Sequence, residues 1–256
     1  MDKLIQILQI PERCMVNKKI TKAFFKRNFE LTVAEKKLLD DFTLVIQIDW
    51  LASIKPENSN IIAYIHEQSA FEEVVIISVQ SGEDDFDKNK QKIAELIQKY
   101  IPYHILLCIY NNNYFVLNTC YKRINQNDAT KRTVEKSYFT ENISPIAPDE
   151  RQMQFLNSLA FAVMDKQNLK TLFDAYTNRI IALQASELTG IYTIRKNERS
   201  KQDVKHLENI ARLRSEILTL QNQAIKETQL KVQVMLNADI QERIKEIKKL
   251  EKILTS

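Results

Sequence analysis

Glycine is almost absent from this chain: only Gly82 and Gly190 occur among its 256 residues. A loop that cradles phosphate needs several glycines close together, because its backbone N–H groups must point at the anion. Two isolated glycines can form neither a Walker loop nor a dinucleotide-binding fingerprint. The sequence therefore argues against a P-loop ATPase and against a Rossmann oxidoreductase.

Cysteine is scarce as well, and long apolar runs are missing. The three cysteines are odd in number and lie far apart, which argues against a disulfide framework and indicates a reducing compartment. No uninterrupted apolar run is longer than that at residues 105–110, which is far too short to span a bilayer. Because the first residues also lack the pattern of a secretory signal, we expect a cytoplasmic protein that does not enter a membrane.

The residue types that usually carry catalysis are not grouped in motifs. The three histidines and three cysteines include no pair of ligands at zinc-finger spacing, and the chain has no nucleophile-elbow motif of a hydrolase. We therefore predict no catalytic residue, no metal ligand and no cofactor.

Residues 1–143 have the patterning of a mixed α/β domain. The predicted strands cover residues 46–50, 61–65, 74–79, 105–109 and 114–121. The runs at 74–79 and 105–109 are apolar on both faces, as the central strands of a covered sheet are. The helix predicted between them has Asp87 as its N-cap and carries its apolar residues on one stripe. A strand, a helix and a strand in this order predict a right-handed parallel crossover.

Residues 144–199 are predicted to form a helical linker. The segment 144–148 contains two prolines and marks the boundary. Apolar residues then recur at helical spacing from Leu169 to Ile180. Asp165 is a candidate N-cap for this helix, and Gly190 is a candidate stop.

Residues 200–256 are predicted to form an antiparallel helical hairpin. Apolar residues from Ile210 to Ala224 step by three and four, which is typical of a coiled-coil seam. A second stripe runs from Ile240 to Leu254, and the phase slips between the two, near residues 226–237; one long interrupted helix is the alternative. Six apolar residues lie off the seam near the phase break, and we predict that they bind a partner. They are Leu218, Ile225, Leu230, Val232, Val234 and Met235.

Four stretches resemble an uncharacterised bacterial family that is known only as a domain of unknown function. They are VNKKITKAFF, IDWLASIKPENSNI, KYIPYHILLCIY and KETQLKVQVMLNADIQERIKEIKKLE, and they extend from the first basic motif through the terminal hairpin. Thr21 departs from the proline expected at its position, although threonine also caps helices. The family is often encoded beside helicase-like ATPases and DNA methyltransferases of defence loci. The resemblance therefore implies a partner of that kind.

The order of elements in the first domain also resembles the restriction-endonuclease-like core: a helix, three strands, a helix and two strands. Such a nuclease needs an acid near its second strand and an acid-x-Lys triplet on its third, because carboxylates hold the metal ion and the lysine positions water. The third predicted strand, from Glu73 to Gln80, has no such triplet. The triplets at 35–37, 203–205 and 246–248 fall in helical patterns. Asp49 and Glu67 are leftover acids, which we interpret as solvent-facing strand residues.

One stretch near the start is strongly basic. From Arg13 to Phe29 six residues are Lys or Arg and none is Asp or Glu, whereas from Asp40 to Lys90 eleven acids occur with three bases. We predict that five of these cations contact nucleic-acid phosphates, with solvated charge as the alternative. They are Lys18, Lys19, Lys22, Lys26 and Arg27.

The second half of this stretch is predicted to be helical. Thr21 would cap the helix, and Phe24 and Phe25 would anchor it to the domain. A second basic cluster follows the last predicted strand and is the weaker candidate, because acids are mixed into it. Its cations are Lys122, Arg123, Lys131, Arg132 and Lys136.

These observations predict an α+β fold: a mixed β-sheet domain with flanking helices, a helical linker and a coiled-coil hairpin. We interpret the protein as a non-catalytic subunit of a bacterial antiphage-defence or DNA-modification complex. It would bind a helicase-like ATPase or another protein of the complex through the hairpin, and double-stranded DNA through the basic stretch. Two alternatives stay open: a metal-dependent nuclease with an unusual site, and a structural homo-oligomer assembled by the coiled coil.

Overall fold

The computed structural model describes residues 2–41, 43–83, 85–125, 132–195 and 197–255. These residues form a mixed β-sheet with flanking helices and a C-terminal helical region, so the predicted α+β class is confirmed. The chain divides into two compact units, residues 1–180 and 181–256.

The elements follow one another in this order through the first unit: α1 (Asp2–Leu8), β1 (Met15–Lys19), α2 (Lys22–Asn28), α3 (Val33–Asp40), β2 (Gln47–Ile54), α4 (Pro56–Ser59), β3 (Tyr64–His66), β4 (Ser69–Phe71), β5 (Val74–Gln80), α5 (Phe86–Tyr100), β6 (His104–Tyr110), β7 (Phe115–Ile124), β8 (Arg132–Phe139) and α6 (Glu150–Asn157). The helix α7 (Leu169–Thr189) begins in the first unit and ends in the second, which also contains α8 (Asn197–Lys226) and α9 (Leu230–Thr255). Short 3-10 helices cover Glu12–Cys14 and Phe161–Val163.

Six strands form one sheet in the order β1-β2-β5-β6-β7-β8, and β3 pairs with β4 separately. Strands β5 and β6 are parallel and joined through α5, so the parallel part of the predicted crossover is confirmed, and the other pairs are antiparallel. The sequence interpretation missed β1 and β8, the two edge strands. Both are polar and largely unburied, as edge strands that avoid aggregation usually are. Their sequences therefore lack the alternating apolar pattern that predicts a strand.

The register of the strands divides the sheet into two faces. The face that carries Ile77, Val79 and Ile109 packs on α2, α3 and α5, and Phe25, Leu39, Ile93 and Ile97 lie in the same apolar core. We call it the α5 face. The opposite face carries Ser78, Cys108 and Thr119, and the Thr177 hydroxyl of α7 donates to the Thr119 hydroxyl at 3.1 Å. We call it the α7 face.

Local capping signals explain several helix ends. Thr21 caps α2 as predicted, because its hydroxyl accepts from Phe24 N at 3.1 Å. Gly190 ends α7 as predicted, with φ +74° and its N–H donating to Ser186 O at 2.8 Å. Two predicted caps are wrong, because each helix begins at a different residue from the one assumed. Asp85 precedes α5, so Asp87 lies in its first turn, and the Asn168 side chain rather than Asp165 accepts from Thr171 N.

The second unit contains the predicted hairpin. Helices α8 and α9 are antiparallel: Arg243 Nε lies 2.9 Å from Glu216 Oε2 midway along the pair, and Arg199 near the start of α8 donates to Ile253 O near the end of α9. The seam residues Ile210, Leu213, Ile247 and Leu254 are buried together with Ala185 of α7. The alternative of one long interrupted helix is wrong, because the chain reverses after α8 and α9 packs back along it.

All three cysteines are buried and carry free thiols. Burial raises the pKa of Cys14, raises that of Cys108 to about 12 and raises that of Cys120 to about 11.

Candidate functional site

The strand register brings four side chains into one row across the α7 face. Lys19 of β1 lies opposite Asp49 of β2, Asp49 lies opposite Ser78 of β5, and Ser78 is beside Cys108 of β6. In the next row, Gln47 lies opposite Gln80. Directly opposed residues in a sheet have Cβ atoms about 4.5–5.5 Å apart. Asp49, Ser78 and Gln80 therefore form one cluster near the carboxyl end of β5.

Asp49 is a buried carboxylate, which makes its interpretation as a solvent-facing residue wrong. Its side chain is only 5% exposed, because β2 lies between β1 and β5. The Gln47 amide donates to both of its oxygens, at 2.8 and 2.7 Å. Each carboxylate oxygen therefore accepts a hydrogen bond from a side chain of the same strand.

The cluster lacks the ligands that the restriction-endonuclease resemblance implies. Ser78 and Gln80 are two residues apart on one face of the third large strand, beside Asp49, where the first and last residues of an acid-x-Lys triplet would lie. A hydroxyl and an amide replace the acid and the lysine. In the part of the chain that the structure describes, no group of three or more His, Cys, Asp or Glu side chains is placed to hold a metal ion. The three acid-x-Lys triplets lie in α3, α8 and α9, as predicted.

The structure does not bring Asp49 and Glu67 together. Glu67 is exposed in the turn between β3 and β4, not in a strand. The next residue, Gln68, accepts through its carbonyl oxygen from Ile124 N at the end of β7. Because β7 runs antiparallel to β6, that end of β7 lies beside the start of β6. Ser78 lies near the other end of these strands, at the carboxyl end of β5.

The five predicted DNA-contacting cations lie on β1 and α2 but differ in their surroundings. Lys18 and Lys19 are exposed on the edge strand, and Arg27 is exposed near the end of α2. Lys18 pairs with Trp50 and Lys19 with Asp49, so their side chains leave opposite faces of the strand. The cations therefore surround an edge of the sheet instead of covering one flat face.

Besides Lys19, which lies opposite Asp49, two of these cations lie beside acids that the local sequence does not show. Lys26 Nζ forms an ion pair with Asp40. Desolvation lowers the pKa of the half-buried Lys22, and the carboxylates of Asp40 and Asp41 oppose that shift. The basic stretch therefore has acids as neighbours in the folded structure although it has none in its sequence. Lys18, Lys19 and Arg27 are the cations more available for contact with phosphates.

The second basic cluster is not a surface cluster. Lys122 is buried in β7, where its ammonium donates to Ile101 O at 2.7 Å and to Tyr103 O at 2.6 Å, so its assignment to a basic surface is wrong. Arg123 lies 3.7 Å from Glu135, and Arg132 lies 3.7 Å from Glu72. Lys131 lies outside the described residues.

The apolar residues near the hairpin turn are exposed. The turn lies at residues 227–229, within the predicted phase break. Five of the six predicted partner-binding side chains are 60–81% exposed, and Val232 is half-buried. The exposed ones are Leu218, Ile225, Leu230, Val234 and Met235. We call these five residues the hairpin tip surface.

A cavity of about 250 Å³ lies on the α7 face directly beside the Asp49 row. Ser78, Cys108, Tyr110 and Phe115 of three neighbouring strands line it from the sheet. The other lining residues come from α1, the turn after β6, the segment after β8 and α6. They are Leu4, Ile7, Asn111, Tyr114, Ser144, Pro145 and Leu156. Sequence reasoning missed this cavity, because its lining is collected from residues 4 to 156.

The chain belongs to the family described as Domain of unknown function (DUF4391), whose model matches residues 8–247. Neither a curated protein nor a solved structure matches it. Among the helices of the described ranges, none combines the length and the apolarity needed to cross a membrane.

Proposed function

We propose that this protein is a non-catalytic, DNA-binding subunit of a bacterial antiphage-defence or DNA-modification complex. The observation that carries the proposal is the Asp49 row. A carboxylate lies on β2, yet Ser78 and Gln80 of β5 occupy the positions where the restriction-endonuclease resemblance implies the acid and the lysine. Divalent cations in such sites are held mainly by several carboxylates, and one carboxylate already bonded to Gln47 is a poor substitute.

The exposed cations support contact with DNA. Lys18 and Lys19 on the edge strand and Arg27 on α2 lie within a few residues of one another in the chain and are open to solvent. Phosphate contacts of this kind supply affinity without reading the base sequence.

The hairpin tip surface supports a protein partner. Leu218, Ile225, Leu230, Val234 and Met235 are exposed although the seam between α8 and α9 is buried. Clustered apolar groups on a surface mark interaction sites, and an amphipathic helix commonly binds in a groove of its partner. A helicase-like ATPase or another protein of the same complex is the expected partner.

The metal-binding half of the proposal can be tested with paired variants. Purified wild-type protein with Mg²⁺ or Mn²⁺ should leave plasmid and linear DNA intact, and calorimetry should detect no Mn²⁺ binding. The double variant Ser78→Glu with Gln80→Lys restores the triplet beside Asp49 and should gain Mn²⁺ binding. Ser78→Gln with Gln80→Lys is the matched neutral control. Cleavage by wild type that disappears in Asp49→Asn would instead establish the nuclease alternative.

The partner-binding half needs the neighbouring proteins of the complex. Native mass spectrometry of the chain co-expressed with them should show a complex that Leu230→Glu with Val234→Glu abolishes, while helix content by circular dichroism is unchanged. Lys245→Glu with Lys249→Glu is the matched control, since both lysines are exposed on α9 at the same spacing but far from the turn. If the Leu230→Glu with Val234→Glu variant still forms the complex, the partner does not bind at the hairpin tip surface. If the chain associates with itself in the absence of the other proteins, the homo-oligomer alternative is supported.

A further inference from the structure

The cavity beside Ser78 is a second candidate site, separate from the exposed cations and from the hairpin tip surface. An engineered apolar cavity of about 150 Å³ is large enough to bind benzene, so about 250 Å³ accommodates a bicyclic ring. The site lies at the carboxyl end of the parallel pair β5 and β6. Ligands of open α/β sheets bind at that end.

The lining favours a flat, uncharged ligand. Tyr110, Tyr114 and Phe115 supply aromatic surface, and Leu4, Ile7 and Leu156 supply aliphatic surface. No Lys, Arg, Asp or Glu of the described residues lines the cavity. A charged group would therefore be desolvated there without a partner, which is costly.

One polar side chain in the lining is held ready to donate. Asn111 accepts through Oδ1 from Asn113 N at 2.9 Å and from Tyr114 N at 2.8 Å. These two bonds fix which end of the amide is oxygen, because backbone N–H groups only donate. The Asn111 amino group has no acceptor among the described residues and can donate to a ring nitrogen or a carbonyl oxygen of a ligand.

A polar cleft adjoins the cavity and shares Asn111 and Tyr114 with it. Glu83, Asp85, Phe86, Asp87, Lys88, Asn113 and Asn142 also line this cleft, and the Lys88 ammonium lies 3.0 Å from the Asp85 carboxylate. Carboxylates and amides together suit hydroxyl groups, as an acidic residue does at the ribose of a bound dinucleotide. Because three carboxylates and one lysine line the cleft, its charge is net negative and disfavours a phosphate.

We propose that the cavity and its cleft bind a free nucleoside-like molecule: an uncharged planar heteroaromatic ring in the cavity, joined to a hydroxylated group in the cleft. A base of a nucleic-acid strand offers the same ring but brings phosphates to the acidic cleft, so the free molecule is the better fit.

Adenosine is the first probe, with indole and adenosine monophosphate for comparison, on the full chain. In methyl NMR spectra, adenosine should shift the signals of Leu4, Ile7 and Leu156 and leave those of α9 unchanged. Adenosine monophosphate should bind at least tenfold more weakly. Adenosine binding no tighter than indole would overturn the hydroxyl part of the proposal, and equal binding of the monophosphate would overturn the exclusion of phosphate.

A pair of neighbouring substitutions on α1 tests the location. Ile7→Trp fills the cavity and should weaken adenosine binding at least tenfold, whereas Gln6→Trp places the same ring on an exposed position and should change nothing. If Ile7→Trp fails to fold, Tyr114→Ala replaces it, because the Tyr114 side chain is 44% exposed and its ring lines both spaces. No binding by any probe, or equal binding by these variants, refutes the site.

Discussion

At the scale of single residues, the two glycines serve different needs. A Cβ at Gly82 would lie 1.8 Å from the carbonyl oxygen of Thr43, so the backbone of one segment would have to move. A Cβ at Gly190 would meet nothing within 4 Å, and only its φ of +74° resists a side chain. The first glycine is required by close approach and the second by conformation.

This difference predicts unequal costs of substitution. Gly190→Ala should lower the free energy of unfolding by about 1–2 kcal/mol, the cost of a left-handed conformation, and Gly190→Asn by less, since asparagine tolerates it. Gly82→Ala should lower the free energy of unfolding clearly more, because the clash with the Thr43 carbonyl can be relieved only by moving backbone. Urea unfolding of the three variants measures these differences, and equal costs for the two alanine variants would contradict the assignment.

The burial of Lys122 should make the stability of the fold depend on pH. Desolvation lowers its pKa from 10.5 to about 7, so between these values the unfolded chain binds more protons than the folded one. Stability should therefore rise with pH over this window, by up to about 1 kcal/mol per pH unit.

The variant Lys122→Met tests this linkage. It removes the titrating group and should flatten the rise in stability between pH 7 and 10, measured as the free energy of urea unfolding at each pH. Lys88→Met, at an exposed position on α5, is the control and should keep the slope. A parallel curve for Lys122→Met and wild type would show that the lysine does not titrate in this range.

Sequence reasoning at this scale succeeded where the cause is local. Thr21 and Gly190 act on groups within four residues of themselves, and both were predicted. Lys122 bonds to carbonyl groups 19 and 21 residues away, and Asp40 lies 14 residues from Lys26. Those partners are chosen by the packing of elements, which a local pattern does not contain.

At the scale of elements, β1 and α2 divide the basic stretch into two kinds of charge. The lysines of β1 are exposed, whereas those of α2 lie beside Asp40 and Asp41. Only free cations release counterions from DNA in full.

The salt dependence of DNA binding should therefore separate the two elements. Lys18→Ala with Lys19→Ala should flatten the slope of log affinity against log salt by about 0.9 for each phosphate that the protein no longer neutralises. Lys22→Ala with Lys26→Ala should change it less, although the number of charges removed is the same. Fluorescence anisotropy with duplexes of two unrelated sequences provides the measurement. The reverse order of effects would place the DNA on α2, and no salt-dependent binding by wild type would leave only solvated charge.

The predictable elements were those with a strong apolar period. The α8 and α9 stripes were recognised because one repeating face of each helix is apolar, and the two central strands because they are apolar and buried on both faces. The edge strands β1 and β8 gain their hydrogen bonds from β2 and β7 and bury little. Their existence depends on a neighbour, so their own residues do not reveal it.

At the scale of the whole molecule, the second unit is more than two helices. Ala185 is buried with the α8–α9 seam, and Leu188 packs against the same cluster. A two-helix hairpin has little core of its own, and the end of α7 supplies a third side. The Asp49 row and the cavity, by contrast, belong entirely to the first unit.

Deleting residues 200–256 should leave the first unit folded and abolish assembly with the partner. The truncated chain should keep its strand signal in circular dichroism and dispersed amide resonances, while the last turns of α7, which carry Ala185 and Leu188, fray. Deletion from residue 190 is the control and should give the same core spectrum. Global unfolding of either chain would show that the units do not fold separately, and assembly without residues 200–256 would remove the hairpin from the interface.

The sheet order was only partly accessible from sequence. The crossover through α5 follows from the alternation of strand, helix and strand, but the position of β2 beside β5 does not. That pairing decides that Asp49 lies opposite Ser78. The absence of an acid-x-Lys triplet from the third predicted strand was visible in the sequence, whereas the burial of Asp49 required the structure.

Because its three thiols are buried, the folded chain should react only very slowly with alkylating reagents. Because only thiolates react and burial raises the pKa of Cys14, Cys108 and Cys120, a maleimide dye should label them only when the surrounding structure opens. A single cysteine introduced at Val234 would then accept a fluorophore selectively, without removal of the native cysteines. The rate at which the native cysteines are labelled therefore reports unfolding of the chain. Their slow labelling also leaves little background signal when a dye on the hairpin tip surface is followed by energy transfer.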